Sequence, residues 1–339
     1  LGTAASSADK DVSIVVSDEG GAELARHDLM VRVRKNAETL SGAERDRFLS
    51  AFVKAAQKNN QFDKYWRLHT IAANLAHQDA FLPWHRVFLL NLERELQIED
   101  PSVALPYWEF DKAAPKLFSE DFLGRVTLTP PNFNVVQFST TNPLSSWSLS
   151  DPSVTPLRRN RNGDTSTSPA LSKNFMSNDE HGVMNANIFG PYHGQAHVYI
   201  GGNVGNFFSS PSDPLFFLLH ANVDRAWAAW ERLHDRFDRM QSLAYVLQGR
   251  FSPGASSLFG NFVDDTMWPW DGLSRPSEAG TATTAVTLPD NPGPGGGLEG
   301  KPQVGDTLDY LDMAGVGTAH DFCYDDISYG VGAVSPFWP

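Results

Sequence analysis

Six of the ten histidines in this chain form two sets of three whose spacing suits metal binding. The first set is His69, His77 and His85, and the second is His193, His197 and His220. Because His193 and His197 are spaced i, i+4, both imidazoles would lie on one face of a helix and could bind one ion. A single histidine is more often an ordinary core or surface residue, so the inference rests on both sets together. They predict two metal ions that each keep an open coordination position.

The side chains around the two sets favour copper over other metals. Cys323 is the only cysteine, and no carboxylate takes the place of a histidine in either set. Thiolate zinc sites, iron–sulfur clusters and iron held by two histidines and a carboxylate therefore fit poorly. Imidazole suits both oxidation states of copper, and two copper ions could together give two electrons to O2. A hydrolase with two zinc ions is the alternative that the ligands leave open.

Helices must position these histidines, and the sequence contains signals for the start of several helices. Ser41 and Glu44 have the spacing of a capping box, which begins a helix. Pro83 lacks an N–H and belongs in the first turn of a helix, which puts His85 on the buried stripe of that helix. The predicted helices cover residues 43–58, 62–75, 83–98 and 220–237. The predicted strands, which would form a hairpin, cover 12–16 and 29–34, and the predicted long ordered loops cover 111–191.

Composition and charge bound the class of protein and its partners. The chain has 339 residues, 41% of them hydrophobic, and nine Trp, which is enough for one compact enzyme around one site. Its net charge of −13 argues against nucleic acid and anionic membrane as partners. No apolar run approaches the ~20 residues that span a bilayer. A processed N-terminus at Leu1 would favour export or the periplasm, and a chain without disulfides is also compatible with the cytoplasm.

Short motifs beyond the histidines extend the pattern. They are FLPWHR at 81–86, Gly-Gly at 201–202, SPSDPLFF at 210–217, HANVDR at 220–225, RKN at 34–36 and PYWE at 106–109. With these motifs, residues 30–330 resemble the tyrosinase and catechol oxidase family of type 3 copper proteins. The resemblance implies a mainly α fold in which a central four-helix bundle holds a dinuclear copper site, with long loops and a few short β-strands. We expect a single tyrosinase-like catalytic domain over 1–339, with its core at about 30–326, a strand or arm at 1–29 and a short tail at 327–339.

The resemblance also implies roles for individual residues. His69, His77 and His85 would bind one copper ion, and His193, His197 and His220 would bind the other. Asp224 would orient an imidazole, and Phe216 would pack over the metal pair. Their simpler roles would be a charge near a helix N-terminus and a core side chain. Gly194, Val198 and Leu219 would shape the rim of the substrate cleft.

Three departures from the family pattern bear on the reaction. Gly194 stands where many members have Asn, and Met184 stands where a Glu helps to hold a water that deprotonates phenols. Leu219 replaces a frequent histidine, and no cysteine lies between His69 and His77 to form the thioether of some members. The first departure predicts weak monophenol hydroxylation and leaves diphenol oxidation intact.

The implied reaction is the oxidation of small o-diphenols to o-quinones by O2, with hydroxylation of monophenols as a second activity. An o-aminophenol oxidase and an O2-binding protein like a hemocyanin unit share this copper centre and are the alternatives. Hemocyanin units carry a further β-rich domain, whereas here only residues 327–339 follow the FCYDD motif at 322–326, which would contact Arg34 by cation–π and hydrogen bonding. The C-terminal segment that shields the coppers in zymogens is absent or removed, so we expect an open site.

Overall fold

Helices supply most of the regular structure. The computed structural model describes residues 12–29, 32–58, 61–76, 80–127, 129–163, 174–247, 260–270, 302–311, 313, 320 and 322–327. Its α-helices are α1 (Gly42–Gln57), α2 (Gln61–Ala76), α3 (Phe81–Glu99), α4 (His181–Asn187), α5 (Gln195–Ile200), α6 (Leu215–His234) and α7 (Gly305–Leu308). A π-helical turn (Ile188–Gly194) joins α4 to α5 into one composite helix. The prediction of a mainly α fold is confirmed.

The β-strands are short and pair only two at a time among the described residues. They are β1 (Val12–Ser17), β2 (Glu23–Leu29), β3 (Val33–Arg34), β4 (Arg125–Val126), β5 (Val136–Gln137) and β6 (Cys323–Tyr324). β1 and β2 form the antiparallel hairpin that was predicted, with Ile14 opposite His27. The bounds predicted for the second strand, 29–34, are wrong for the hairpin: the tight turn at Gly21, where φ is 85°, lets the partner strand begin at Glu23 and end at Leu29. Residues 30 and 31 lie outside the described residues. Residues 33–34 instead pair in parallel with β6.

The capping box at Ser41 positions α1 as the sequence predicted. The Ser41 hydroxyl accepts the N–H of Glu44, and the Glu44 carboxylate accepts the N–H of Ser41 at 2.8 Å. Phe48 and Phe52 recur at the helical period and are both buried. The face that they form packs α1 against α2 and α3. α1 is therefore the outer support of the two helices that carry the first histidine set.

α3 and α6 pack against each other at the centre of the fold. In α3, Pro83 lies in the first turn, as predicted. α6 begins at Leu215 rather than at His220, directly after Pro214. The Asp213 carboxylate accepts the N–H of Leu215, the first residue of the helix, at 2.9 Å. The first turns of α6 are apolar on every side, which hides the helical period from the sequence. α6 ends where Asp235 adopts a left-handed conformation with φ 53°.

Loops fill most of the segment at 111–191, but its last part is helical. Within the described residues, turns, β4, β5 and single 3-10 turns precede α4. The prediction of loops as far as 191 is wrong from His181 onward. α4 has only seven residues, too few to show a helical period in the sequence. Buried Arg159 anchors the loops through two hydrogen bonds to Asp213, at 2.7 and 2.8 Å.

One hydrophobic cluster of buried residues runs from Ala37 to Ile327 and connects these elements. α2, α3, the composite helix and α6 surround the predicted histidines. Among the described residues, no helix combines the length and the apolar character that crossing a bilayer requires.

Candidate metal centre

Five of the six predicted ligands lie on four helical elements that converge at one point. His69 is on α2, His85 on α3, His193 in the π-helical turn, His197 on α5 and His220 on α6. His77, the sixth predicted ligand, lies outside the described residues. The rings of His85 and His220 are nearly parallel at 12° with centroids 4.3 Å apart, and the His69 ring lies 5.6 Å from His85. The two histidine sets therefore meet through His85 and His220.

The second histidine set has the geometry of a ligand set for one ion. One ring nitrogen from each of His193, His197 and His220 lies within 4.8 Å of the other two. The π-helical turn helps to produce this arrangement, because Pro191 has no N–H for a regular α-helical bond and the wider turn re-aims His193. The i, i+4 pair inferred from the sequence is thus present, with ring centroids 4.5 Å apart.

Backbone carbonyl groups fix the orientation of three of these imidazoles. In each case Nδ1 is within hydrogen-bonding distance of a main-chain oxygen. The pairs are His85 with Phe81 (2.8 Å), His193 with Phe189 (3.0 Å) and His197 with Val204 (2.7 Å). A carbonyl oxygen only accepts, so Nδ1 carries the proton and Nε2 presents its lone pair. Imidazoles held in this tautomer are suited to bind copper through Nε2.

Burial keeps the imidazoles of His197 and His220 neutral at physiological pH. Burial lowers the pKa of His197 to about 4. Burial, followed by the neighbouring imidazoles of the two sets, lowers the pKa of His220 well below its ordinary value. The Nε2 atoms of His197 and His220 lie 3.3 Å apart, which two protonated rings could not tolerate. Neutral imidazole is the form that binds a metal ion. The lowered pKa values of His197 and His220 therefore also fit copper binding.

Phe216 lies between the two histidine sets, where the resemblance placed it. Its ring centroid is 4.1 Å from that of His220 and 4.9 Å from that of His69. The side chain is also completely buried in the core. Phe216 therefore combines core packing with contacts to one imidazole of each set.

An apolar cleft with a volume of about 280 Å3 opens above the imidazoles. Besides His69, His193 and His197, its lining consists of Phe189, Gly190, Gly194, Val204, Gly205, Phe207, Ser210 and Phe216. Gly194 is therefore a cleft residue, as expected. Phe189 and Phe207 had no sequence signal beyond their distance from the histidines, and the sequence interpretation missed them.

Two predicted rim residues lie elsewhere. Val198 is 76% exposed and Leu219 is completely buried, and neither lines the cleft. Val198 directly follows His197, and Leu219 directly precedes His220. Adjacent side chains in a helix point about 100° apart. The same geometry that aims His197 and His220 inward turns these two neighbours away. Met184, at the position of the family Glu, is buried and supplies no carboxylate.

Asp224 belongs to a buried ion network rather than to an imidazole. Its carboxylate accepts hydrogen bonds from Arg34 at 2.9 Å, Arg86 at 2.6 Å and the Tyr324 hydroxyl at 2.6 Å. This corrects the expectation that Asp224 orients a ligand directly. Arg86 follows His85 on α3, and Asp224 lies one turn after His220 on α6. The ion pair therefore joins the two helices beside the stacked imidazoles.

The predicted contact between Arg34 and the motif at 322–324 is present. The Arg34 guanidinium lies 3.8 Å above the Phe322 ring and donates to the Tyr324 hydroxyl at 3.0 Å. It also forms a buried ion pair with Glu93 on α3 at 2.6 Å. Strand β3, helix α3 and strand β6 are thus tied together behind the histidines.

Five histidines that meet inside a helical core, three of them placed to hold one ion, are the arrangement expected of a type 3 copper protein. Comparison with known proteins agrees with this assignment. The family model described as the common central domain of tyrosinase matches residues 59–187 and 172–233. A tyrosinase from Streptomyces lincolnensis is 31% identical over 272 residues, which cover 70% of this chain and 92% of that protein. The chain therefore belongs to the tyrosinase family and is a copper-dependent oxidoreductase with a dinuclear copper cofactor.

Solved structures show the same fold at lower sequence identity. A polyphenol oxidase from Thermothelomyces thermophila superposes with a TM-score of 0.57 at 19% sequence identity. The superposition includes 87% of this chain and 88% of the polyphenol oxidase chain. A functional unit of octopus hemocyanin superposes with a TM-score of 0.52 at 16% identity and covers 88% of this chain and 69% of its own. At these identities the likeness concerns the fold alone.

Proposed function

We propose that this protein oxidises o-diphenols to o-quinones with O2. The proposed ligands are His69, His77 and His85 for one copper ion and His193, His197 and His220 for the other. The observation that carries the proposal is the convergence of the second set within 4.8 Å, next to the stacked rings of His85 and His220. We also propose that residues 1–339 form one catalytic domain with its core at about 30–326.

A dinuclear copper group, when bound, supplies the redox couple that links diphenol oxidation to O2 reduction. Each diphenol loses two electrons and two protons when it becomes a quinone. Two diphenols therefore reduce one O2 to two molecules of water. The protein's part is to hold the aromatic ring next to the imidazoles and to limit the access of water.

The cleft residues perform these tasks. The buried Phe216 ring and the carbonyl-anchored imidazoles form a rigid floor on which a substrate ring can stack. Among the described lining residues there is no carboxylate to take a proton from a phenol, and Met184 leaves the family position without one. This favours catechols, which ionise more readily than monophenols. The proposed activity is therefore diphenol oxidation much faster than monophenol hydroxylation.

The test is a matched comparison of catechol and phenol on copper-loaded protein. Quinone absorbance and O2 consumption are measured together, with bound copper counted per chain. We expect two catechols oxidised per O2, slow reaction of phenol, and two copper ions per chain. His193→Ala should lose one copper ion and most of the catechol activity. The absence of quinone from both compounds, in protein that holds two copper ions, would contradict the proposal, and reversible O2 uptake without turnover would indicate an O2-binding protein instead.

A further inference from the structure

Two exposed aromatic side chains form the walls of the apolar cleft. The Phe189 ring lies 5.9 Å from the His193 ring at an angle of 25°, and the Phe207 ring lies 6.1 Å from the His69 ring. Their exposed fractions are 37% and 38%, so both rings reach the mouth of the cleft. Phe208, which is 62% exposed, contacts Phe207 edge-on at 5.4 Å and extends the apolar surface outward. A substrate entering the site meets aromatic surface on the sides of both histidine sets.

Two glycines in the lining of the cleft, Gly190 and Gly194, leave open space beside the imidazoles. Apart from its chain neighbours and the backbone of its own helix, a Cβ added at Gly190 would meet no atom within 4 Å. One added at Gly194 would meet only the Phe189 carbonyl oxygen, at an ordinary 3.6 Å. Gly194 has a helical conformation that any residue adopts, with φ −60°. Gly205 differs, because its added Cβ would lie 2.6 Å from the backbone of Gly201. Glycine weakens a helix, and at Gly194 neither the backbone conformation nor the surrounding space requires it. Gly190 directly precedes Pro191, which restricts any residue with a Cβ at that position.

We infer, on the basis of the proposed function, that this site selects uncharged diphenols with a bulky apolar substituent over diphenols that carry a carboxylate. Gly190 and Gly194 leave room for the substituent, and Phe189 and Phe207 contact it. The volume of about 280 Å3 accommodates a single substituted ring.

Charge supplies the second half of the selectivity. Apart from the histidines, none of the described residues that line the cleft can carry a charge. A substrate carboxylate on the part of the cleft away from the metal ligands would lose hydration without an ion pair to any described lining side chain. The net charge of −13 on the chain adds a repulsive field for anions.

The first experiment isolates the effect of charge. The acid 3-(3,4-dihydroxyphenyl)propionate and its methyl ester are compared as substrates of the copper-loaded protein. They share the reacting ring and differ in the carboxylate. We expect kcat/KM of the ester to exceed that of the acid by roughly tenfold or more. Equal values, or a preference for the acid, would overturn the charge selectivity.

The second experiment isolates the effect of space. Gly190→Leu places a large side chain in the lining of the cleft. The matched control is Gly182→Leu, because Gly182 is an exposed glycine of α4 and an added Cβ there has free space. The ratio of kcat/KM for 4-tert-butylcatechol to that for catechol should fall by roughly tenfold in Gly190→Leu and stay unchanged in the control. Gly194→Val is a second filling variant with the same expected direction.

A binding measurement separates space from catalysis. Calorimetry with 1,2-dimethoxy-4-tert-butylbenzene, which is not a diphenol and is not oxidised, should show weaker binding to Gly190→Leu than to the parent and the control. Urea unfolding of Gly190→Leu and Gly182→Leu checks that both variants are folded before their substrate ratios are compared. A parent that oxidises no catechol at all would refute the proposed function. A parent that oxidises catechol, but whose substrate ratio and binding are the same in Gly190→Leu and Gly182→Leu, would refute the size selectivity alone.

Discussion

Replacing Asp224 with asparagine should destabilise the protein far more than the loss of an average surface charge. Asp224→Asn keeps the shape of the side chain and removes the negative charge that faces Arg34 and Arg86. The side chains of all three are at most 2% exposed, so water cannot replace the lost carboxylate. Breaking a buried ion pair typically costs about 3–5 kcal/mol, because a charge is left buried without compensation.

The two arginines limit the loss, because each has a second carboxylate. Arg34 retains Glu93 at 2.6 Å, and Arg86 retains Glu231 at 2.9 Å. The expected cost is therefore at the lower end of the range, about 3 kcal/mol. That is a large fraction of the roughly 5–15 kcal/mol by which proteins are stable. Since the network joins α3 to α6, the variant should also lower kcat for catechol by loosening the contact between His85 and His220.

Urea unfolding of the metal-free protein, followed by tryptophan fluorescence, measures this cost. The control is Glu23→Gln, which breaks the pair between Glu23 and Arg26 on the hairpin. That pair is equally short at 2.7 Å, but its side chains are 45% and 48% exposed. It should cost less than about 1 kcal/mol. If Asp224→Asn costs no more than the control, the buried network does not hold these helices together.

Two further predictions concern pH and the first helix. Burial, and to a smaller extent Arg86, lowers the pKa of His181 to about 3. The unfolded chain takes up this proton below about pH 6.5 and the folded protein does not, so stability is complete above pH 6.5 and falls as the pH is lowered towards 3. Urea unfolding should show a loss of about 2 kcal/mol from this group between pH 7 and pH 5, and His181→Phe should remove that part of the slope; an unchanged slope would contradict the assignment. Ser41→Ala removes the hydroxyl that caps α1 and should cost about 1 kcal/mol in the same assay, whereas an unchanged midpoint would show that the cap is not stabilising.

The sequence predicts those parts of the site in which the identity of the side chain determines its role. The two histidine sets were recognisable because imidazole ligands have few substitutes, and the capping box at Ser41 because it is a local pattern. Arg34 and the motif at 322–324 could be paired only through the family resemblance, since nothing local connects residues so far apart.

The errors arose where a role depends on the direction of a side chain or on a distant partner. Asp224 has the spacing of a carboxylate that orients His220, but a guanidinium from α3 and another from β3 compete for it. Val198 and Leu219 are adjacent to ligands in sequence and point away from them in the helices. At the start of α6, the N–H of Leu215 donates to the Asp213 carboxylate, and the π-helical turn contains Pro191. Hydrophobic periodicity shows neither feature.

The pairing of β3 with β6 also affects the order in which the chain can fold during synthesis. Arg34 and Tyr324 are separated by 290 positions, so the residue that completes the surroundings of the guanidinium is synthesised long after Arg34 itself. At about 5–20 residues per second, a ribosome needs roughly 15–60 s to make the intervening chain. During that time Arg34 lacks its contacts with the Phe322 ring and the Tyr324 hydroxyl. The pairing of β3 with β6 is also still missing. The metal centre can therefore reach its final packing only after residues 322–324 have been made, which is after all six histidines.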